Sequence, residues 1–168
     1  MLDGDPLVKR AANAALDAGA SPVVVVLGAD YQLIEPALEG LPVELIINHE
    51  WQSGLASSLA AGLRALIEVA DCDGVVVTLA DQPLVDAQAL KRLIAPFDAS
   101  HRLVAASYEG TIGVPAVFGR EYVAELLHLT GDAGAGAWLR SRSSEVTPVS
   151  LDFGGLDIDT PTDAELLK

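Results

Sequence analysis

The chain has 168 residues, about half of them apolar, with 24 acidic against 10 basic side chains and a formal net charge of −14. Such a surface repels phosphate backbones and argues against a nucleic-acid partner, while a nucleotide brought in by a divalent metal or by local basic groups stays compatible with it. The lone cysteine, Cys72, allows no internal disulfide, no apolar run reaches the roughly 18 residues of a membrane span, and Met1 to Asp5 does not read as a signal peptide, so a cytoplasmic protein is expected.

In chain order, Asp5-Pro6 predicts a helix start, with Asp5 as N-cap and Pro6 at the first helical position. Leu7, Val8, Ala11, Ala12, Ala15 and Leu16 follow at helical spacing, and Gly19 is a stop. Pro22 to Leu27 is a continuous apolar run that predicts a buried strand. A helix is predicted over 28–39, a strand over 43–47, a helix over 55–69, a strand over 74–79 and a helix over 86–96. Two strands, 103–107 and 114–118, flank a Gly-containing turn. Helices over 120–129 and 133–142, a strand over 146–149 and a last helix from Thr160-Pro161 to Lys168 complete the reading. Alternating strands and helices predict a three-layer α/β/α fold with a mostly parallel sheet, in a single domain over 1–168.

Four segments could carry chemistry. Asp81 sits just past a buried strand in L-A-D-Q-P, where open α/β sheets bind ligands, and a carboxylate there suits Mg²⁺, a hard cation that takes oxygen ligands and phosphates. An ordinary turn aspartate is the competing reading. Asp157 and Asp159, in D-I-D-T-P-T-D, share one side of an extended segment, or simply precede a capped helix. The third segment runs from Asn48 through Trp51 and Gly54 to Ser57, Ser58 and Gly62. Gly54 opens a helix and lets backbone N–H groups approach a ligand, and Ser57 and Ser58 could bond a ribose or base, or lie on a solvent face. Gly62, inside the helix, points to close packing. The fourth joins G-V-P-A-V-F from Gly113 with G-D-A-G-A from Gly131, as ligand-facing backbone or as loop-building glycines. No histidine is assigned a catalytic role; His101 and His128 read as surface positions.

Taken in order, these segments resemble the MobA-like nucleotidyltransferases, and within them the molybdenum cofactor cytidylyltransferases. The pieces are A-G-A-S-P-V-V-V-V-L-G-A from Ala18, N-H-E-W-Q-S-G-L-A-S-S-L-A-A-G-L from Asn48, V-V-V-T-L-A-D-Q-P from Val75, G-V-P-A-V-F from Gly113, G-D-A-G-A from Gly131 and D-I-D-T-P-T-D from Asp157. The W-x-x-G-L-x-S-S-L form is closer to the cytidylyl than to the guanylyl branch. The resemblance implies a Rossmann-like fold of the nucleotide-diphospho-sugar transferase kind, and transfer of CMP from CTP or another NTP to a molybdopterin-type acceptor with loss of pyrophosphate.

On this resemblance Asp81 and Asp159 are the catalytic and Mg²⁺-binding acids. Gly54, Leu55, Ser57, Ser58 and Ala80 line the nucleotide, and Gly113, Pro115, Gly131, Asp132 and Gly134 the acceptor. The implied partners are the NTP, the molybdopterin-type acceptor, a molybdoenzyme or its chaperone, and a second copy in a homo-oligomer. Two departures stand out. The family opens with a strand and an L-A-A-G-x-S-x-R-M-G loop that holds the triphosphate, whereas Met1 to Leu7 resembles the x-L-x-G-x-P-L that follows it. Gly113-Val114-Pro115 has an apolar residue where the family has a polar one. The first departure predicts a sheet without its first strand and little transferase activity in these 168 residues. Two alternatives stay open: a family member without catalysis that serves as a binding or assembly partner, and a MobA-like oxidoreductase acting on a heterocycle.

Overall fold

The computed structural model describes residues 5–108 and 110–151; Asp157, Asp159 and the helix expected after Thr160 lie outside the described residues. Helix α1, Leu7–Ala18, ends where predicted. Gly19 takes φ 92°, and the N–H groups of Gly19 and Ala20 close on the carbonyls of Leu16 and Ala15 at 2.9 and 3.1 Å. Its start differs from expectation. Pro6 is extended, with ψ 140°, and occupies the N-cap position; no side chain caps the helix, and Asp5 instead lies 4.0 Å from Lys9 Nζ one turn on.

Strand β1, Val24–Leu27, pairs in parallel with β2, Glu44–Ile47, from Val24 opposite Glu44 to Leu27 opposite Ile47. The helix predicted between them is broken into a single turn, α2, Tyr31–Ile34, and a 3₁₀ turn, Glu35–Leu38. Pro36 supplies the reason, since it has no N–H to continue an α-helix. Helix α3, Leu55–Val69, has the predicted bounds and buries Ala56, Ala60 and Leu63 at helical spacing.

Strand β3, Gly74–Val77, leads to α4, Ala87–Ile94, whose cap Asp86 accepts the Ala89 N–H at 2.8 Å. Strands β4, Leu103–Tyr108, and β5, Thr111–Gly119, form a hairpin. So short a connection can only join antiparallel strands. A 3₁₀ turn at Arg120–Tyr122, the short helices α5, Val123–Leu126, and α6, Ala135–Ser141, and strand β6, Thr147–Ser150, complete the described chain.

The second sheet has the order β3-β5-β4-β6, with β3 and β4 antiparallel to β5 and β6 parallel to β4. Alternate residues of β4 face opposite layers. Leu103 and Ala105 join a core with Leu63 of α3, Leu126 of α5 and Trp138 and Leu139 of α6. Val104 and Ala106 join Ala14 of α1 and Leu90 and Leu93 of α4. The result is the expected Rossmann-like α/β/α arrangement, but not the expected mostly parallel sheet: among the described strands two pairings are parallel and two antiparallel, because the β4–β5 hairpin places β5 between β3 and β4. Among the described residues, no helix is long and apolar enough to cross a membrane.

The two sheets are separate. Among the described residues β1 pairs only with β2, and β3 only with β5, so each has one edge with no strand beside it. Val24, Val25 and Val26 are therefore half-buried, where their continuous apolar run predicted full burial. Helices hold the sheets together. On α3, Gly62 lies against Val26 of β1, where a Cβ would come within 2.9 Å of Val26 Cγ2, while Leu63 packs in the core of β3 with Val75. The close packing expected of Gly62 is thus present. On α1, Ala12 packs with Leu27 of β1 and Ala14 with the core against which Val76 of β3 lies.

One ion pair braces the start of β4. Arg102 Nε and Nη2 each donate to the Glu121 carboxylate at 3.0 Å, and Nη2 also donates to the Asp73 carbonyl at 2.6 Å. The Arg102 hydrogen bonds hold the Glu121 carboxyl below its ordinary value of 4.5. A lowered folded-state value adds stability above the unfolded value and loses it as pH falls through the folded one. Glu121→Gln is therefore expected to destabilise the protein by less than about 1 kcal/mol at neutral pH, because the pair is half exposed. Thermal melts should show the gap between the two proteins closing as pH falls below about 4.

Candidate functional site

The sequence candidates fall into two groups in the structure. The first lies beyond the carboxyl end of β2. Asn48 follows this strand directly and is 7% exposed, an unusual burial for an amide. Its backbone N–H donates to the Leu27 carbonyl at 2.8 Å, extending the β1–β2 ladder by one bond. Its side chain donates to Ser57 Oγ at 2.8 Å and to Ser58 Oγ at 2.9 Å, and accepts the Glu50 N–H at 2.9 Å. The Asn48–Gly54 loop is thereby tied to the first turn of α3.

Gly54 precedes that turn with φ 107° and ψ 171°, backbone that only glycine adopts readily. Its place against a second loop also requires glycine. A Cβ there would overlap the Gly131 carbonyl and lie 2.8 Å from Asp132 N. The Ala56 N–H donates to Gly131 O at 3.1 Å, and a Cβ at Gly134 would lie 2.6 Å from Leu55 Cδ2. Gly54 and Leu55, expected on the nucleotide side, are thus in direct contact with Gly131, Asp132 and Gly134, expected on the acceptor side.

The second group lies at the carboxyl end of β3. Register places Val77 opposite Ala116, so Gly113, Val114 and Pro115 run past that end. Gln82 is 5% exposed and donates Nε2 to the Val114 carbonyl at 3.3 Å. Its Oε1 is a buried acceptor that meets no donor among the described residues. Tyr108 Oη donates to the same carbonyl at 3.1 Å, and Gly113 leaves room for that ring, since a Cβ would lie 2.6 Å from Tyr108 Oη. Gly113 and Pro115 are buried within β5, whereas Ala80 is exposed and Asp81 half-buried with Oδ1 out of solvent.

No cluster of three or more His, Cys, Asp or Glu that could cage a metal occurs among the described residues. Magnesium does not need such a cage, because one or two carboxylates and substrate phosphates suffice. Asp81 fits that mode.

Sequence reasoning gave no role to a third feature. A cavity of about 300 Å³ opens at the ends of β1 and β2, lined by Gly28, Asn48, Tyr31, His49 and Trp51 among others. Tyr31 and His49 meet edge to face with centroids 6.2 Å apart, and Trp51 is 43% exposed. Gly28 makes room for Trp51, whose Cβ would lie 2.9 Å from a Cβ at that position. His101 and His128 are exposed, as expected.

Comparison with known proteins agrees with this architecture. Residues 1–146 match the MobA-like NTP transferase domain. The nicotine blue oxidoreductase of Paenarthrobacter nicotinovorans is 31% identical over 94% of this chain and 80% of its own. Rv0371c of Mycobacterium tuberculosis H37Rv superposes with TM-score 0.75 at 26% identity, over 99% of this chain and 90% of its own. That protein has also been solved in complex with manganese, in a structure that superposes with TM-score 0.67 at 24% identity and covers 99% and 92%. A nucleotidyl transferase from Methanothermobacter thermautotrophicus shares the fold with TM-score 0.82 at 23% identity, over 99% and 81%. With its family match and its α/β/α layers in accord, the chain belongs to the MobA-like NTP transferase family.

Proposed function

We propose that the chain is a nucleotidyltransferase that takes a Mg²⁺-bound NTP, CTP by preference, and transfers CMP to a molybdopterin-type acceptor with release of pyrophosphate. The observation that supports it best is the docking of the Gly54 loop on the Gly131 loop, which joins the segment expected to hold the nucleotide to the one expected to hold the acceptor. Asp81 would hold the metal, with Asp159, outside the described residues, as the second acid. Magnesium, when bound, neutralises phosphate charge during displacement at the α-phosphate. The chain's own residues position the two reactants. On this reading the product passes to a molybdoenzyme or its chaperone.

Calorimetric titration with CTP and with GTP, each with and without Mg²⁺, tests the proposal. Weak Mg²⁺-dependent binding is expected, with Kd on the order of 1 mM and CTP ahead of GTP, because the protein is strongly acidic. Absence of any nucleotide binding at several times that concentration would overturn it.

A second reading has its own support. The 31% identity to nicotine blue oxidoreductase and the aromatic walls of the Tyr31–His49–Trp51 cavity favour a flat heterocyclic substrate and redox chemistry. Binding of such a ring with no dependence on Mg²⁺ or nucleotide would select it.

A further inference from the structure

The cavity of about 300 Å³ at the ends of β1 and β2 belongs to neither group of candidate residues. None of the described residues given above to nucleotide, acceptor or metal lines it. Its walls come from two turns. The one after β1 supplies Asp30 and Tyr31, and the one after β2 supplies His49 and Trp51. Asn48 also borders it, but the Asn48 amide is committed to Ser57, Ser58 and the Glu50 N–H, so it serves as wall and not as a donor.

Charge and shape limit what fits. Asp30 is the one acid in the lining, and no lysine or arginine lines it. Asp30 holds the N-cap position of α2, where an aspartate ordinarily accepts an N–H of the first turn, yet at φ 51° its side chain makes no such bond. Its carboxylate has no hydrogen bond or ion pair among the described residues. It is therefore available to a ligand, on a protein whose net charge of −14 draws cations. As to shape, the Tyr31 and His49 rings cross at 83°. Gly28 seats Trp51 beside them, with its Cγ only 3.2 Å from where a Cβ at that position would be. A flat ring lies along one of two perpendicular walls, whereas a rounded group touches both. Aromatic faces attract a cation through the ring quadrupole, most strongly for Trp.

We propose that this cavity binds the head group of a small organic cation of the quaternary ammonium class, with Tyr31, His49 and Trp51 as its cage and Asp30 as its counter-ion. The assignment is independent of the nucleotide reading, and it gives the cavity a charged, rounded occupant in place of a flat neutral ring.

The test uses the whole chain and two probes of one shape, choline and 3,3-dimethyl-1-butanol, in which carbon replaces the charged nitrogen. Calorimetry is run at constant ionic strength and at pH 8, where an ordinary imidazole is neutral. Choline is expected to bind with Kd on the order of 1 mM, and the neutral probe at least about tenfold more weakly. Trp51→Leu should weaken choline by about three- to tenfold, and Trp51→Phe, which keeps a ring, by less. Asp30→Asn should weaken it by about two- to fivefold, and asparagine tolerates the left-handed backbone at this position. Melting temperatures should stay close to that of the unaltered chain, since both side chains are exposed.

The same head group occurs free and on modified lysine side chains. Choline and N-acetyl-trimethyllysine amide separate these sources, and binding of either sustains the assignment. Equal affinity for choline and the neutral probe would overturn it. So would undiminished binding by both Trp51→Leu and Asp30→Asn, or no binding of either head group at several tens of millimolar. None of these results bears on CTP, whose titration decides the nucleotide reading separately.

Discussion

Asp81→Asn is expected to weaken Mg²⁺-dependent nucleotide binding by about ten- to a hundredfold while leaving the melting temperature within a few degrees of the unaltered chain. The substitution removes one charge and keeps the size and one acceptor oxygen. A carboxylate is a strong ligand for Mg²⁺ and a neutral amide a weak one, so the loss falls on the metal-dependent part of the affinity. The segment is anchored next door, by buried Gln82 and Pro83 and by the bond from Gln82 to the Val114 carbonyl. Calorimetry with and without Mg²⁺ reads the effect directly. An Asn variant with undiminished Mg²⁺ dependence would overturn the proposed role of Asp81 as a metal ligand.

Gly54→Ala is expected to cost about 3–5 kcal/mol of stability, or roughly 6–20 °C in melting temperature. Two costs combine. The backbone at φ 107° and ψ 171° disfavours any side chain by about 1–3 kcal/mol. The added methyl would also overlap the Gly131 carbonyl, which is backbone and cannot swing aside as a side-chain tip could. Relief requires the two loops to part, which breaks the Ala56–Gly131 bond. Gly131→Ala is the control. It also has positive φ, at 63°, but nothing lies within 4 Å of its added Cβ, so about 1 kcal/mol is expected. Similar losses from the two variants, measured by thermal melts, would show that the loops do not hold each other.

Particular residues show what sequence can and cannot reveal here. The bounds of α3 were legible because apolar spacing and Gly54 mark one end and the run of helix formers the other. The stop at Gly19 was legible because its physics is local, whereas Asp86, read as the first residue of its helix, is its cap. Full burial of Val24 to Val26 was misread, because composition reports how apolar a strand is and not how many neighbours it has. The helix over 28–39 was overdrawn because its apolar pattern was given more weight than Pro36. For the site, the glycines of both loops were singled out, yet their mutual contact joins positions far apart in the chain and left no local trace. Asn48 stood inside a quoted motif without a role. Its importance lies in burial and in two hydroxyls a helical turn away, neither of which a residue type discloses. Asp81 could be placed by its position after a strand, whereas its expected partner Asp159 lies outside the described residues.

The gap in backbone bonding between β1 and β3 has a mechanical consequence. The Asn48–Ser58 machinery belongs to the two-stranded leaf, and the Asp81–Val114 machinery to the four-stranded one. With no ladder crossing between them in the described chain, the two leaves are joined by the packing of α1 and α3 on both and by the backbone bond from Ala56 to Gly131. A ligand spanning both leaves would add a bridge where the described residues supply no strand pairing, so occupancy would stiffen the molecule across that seam.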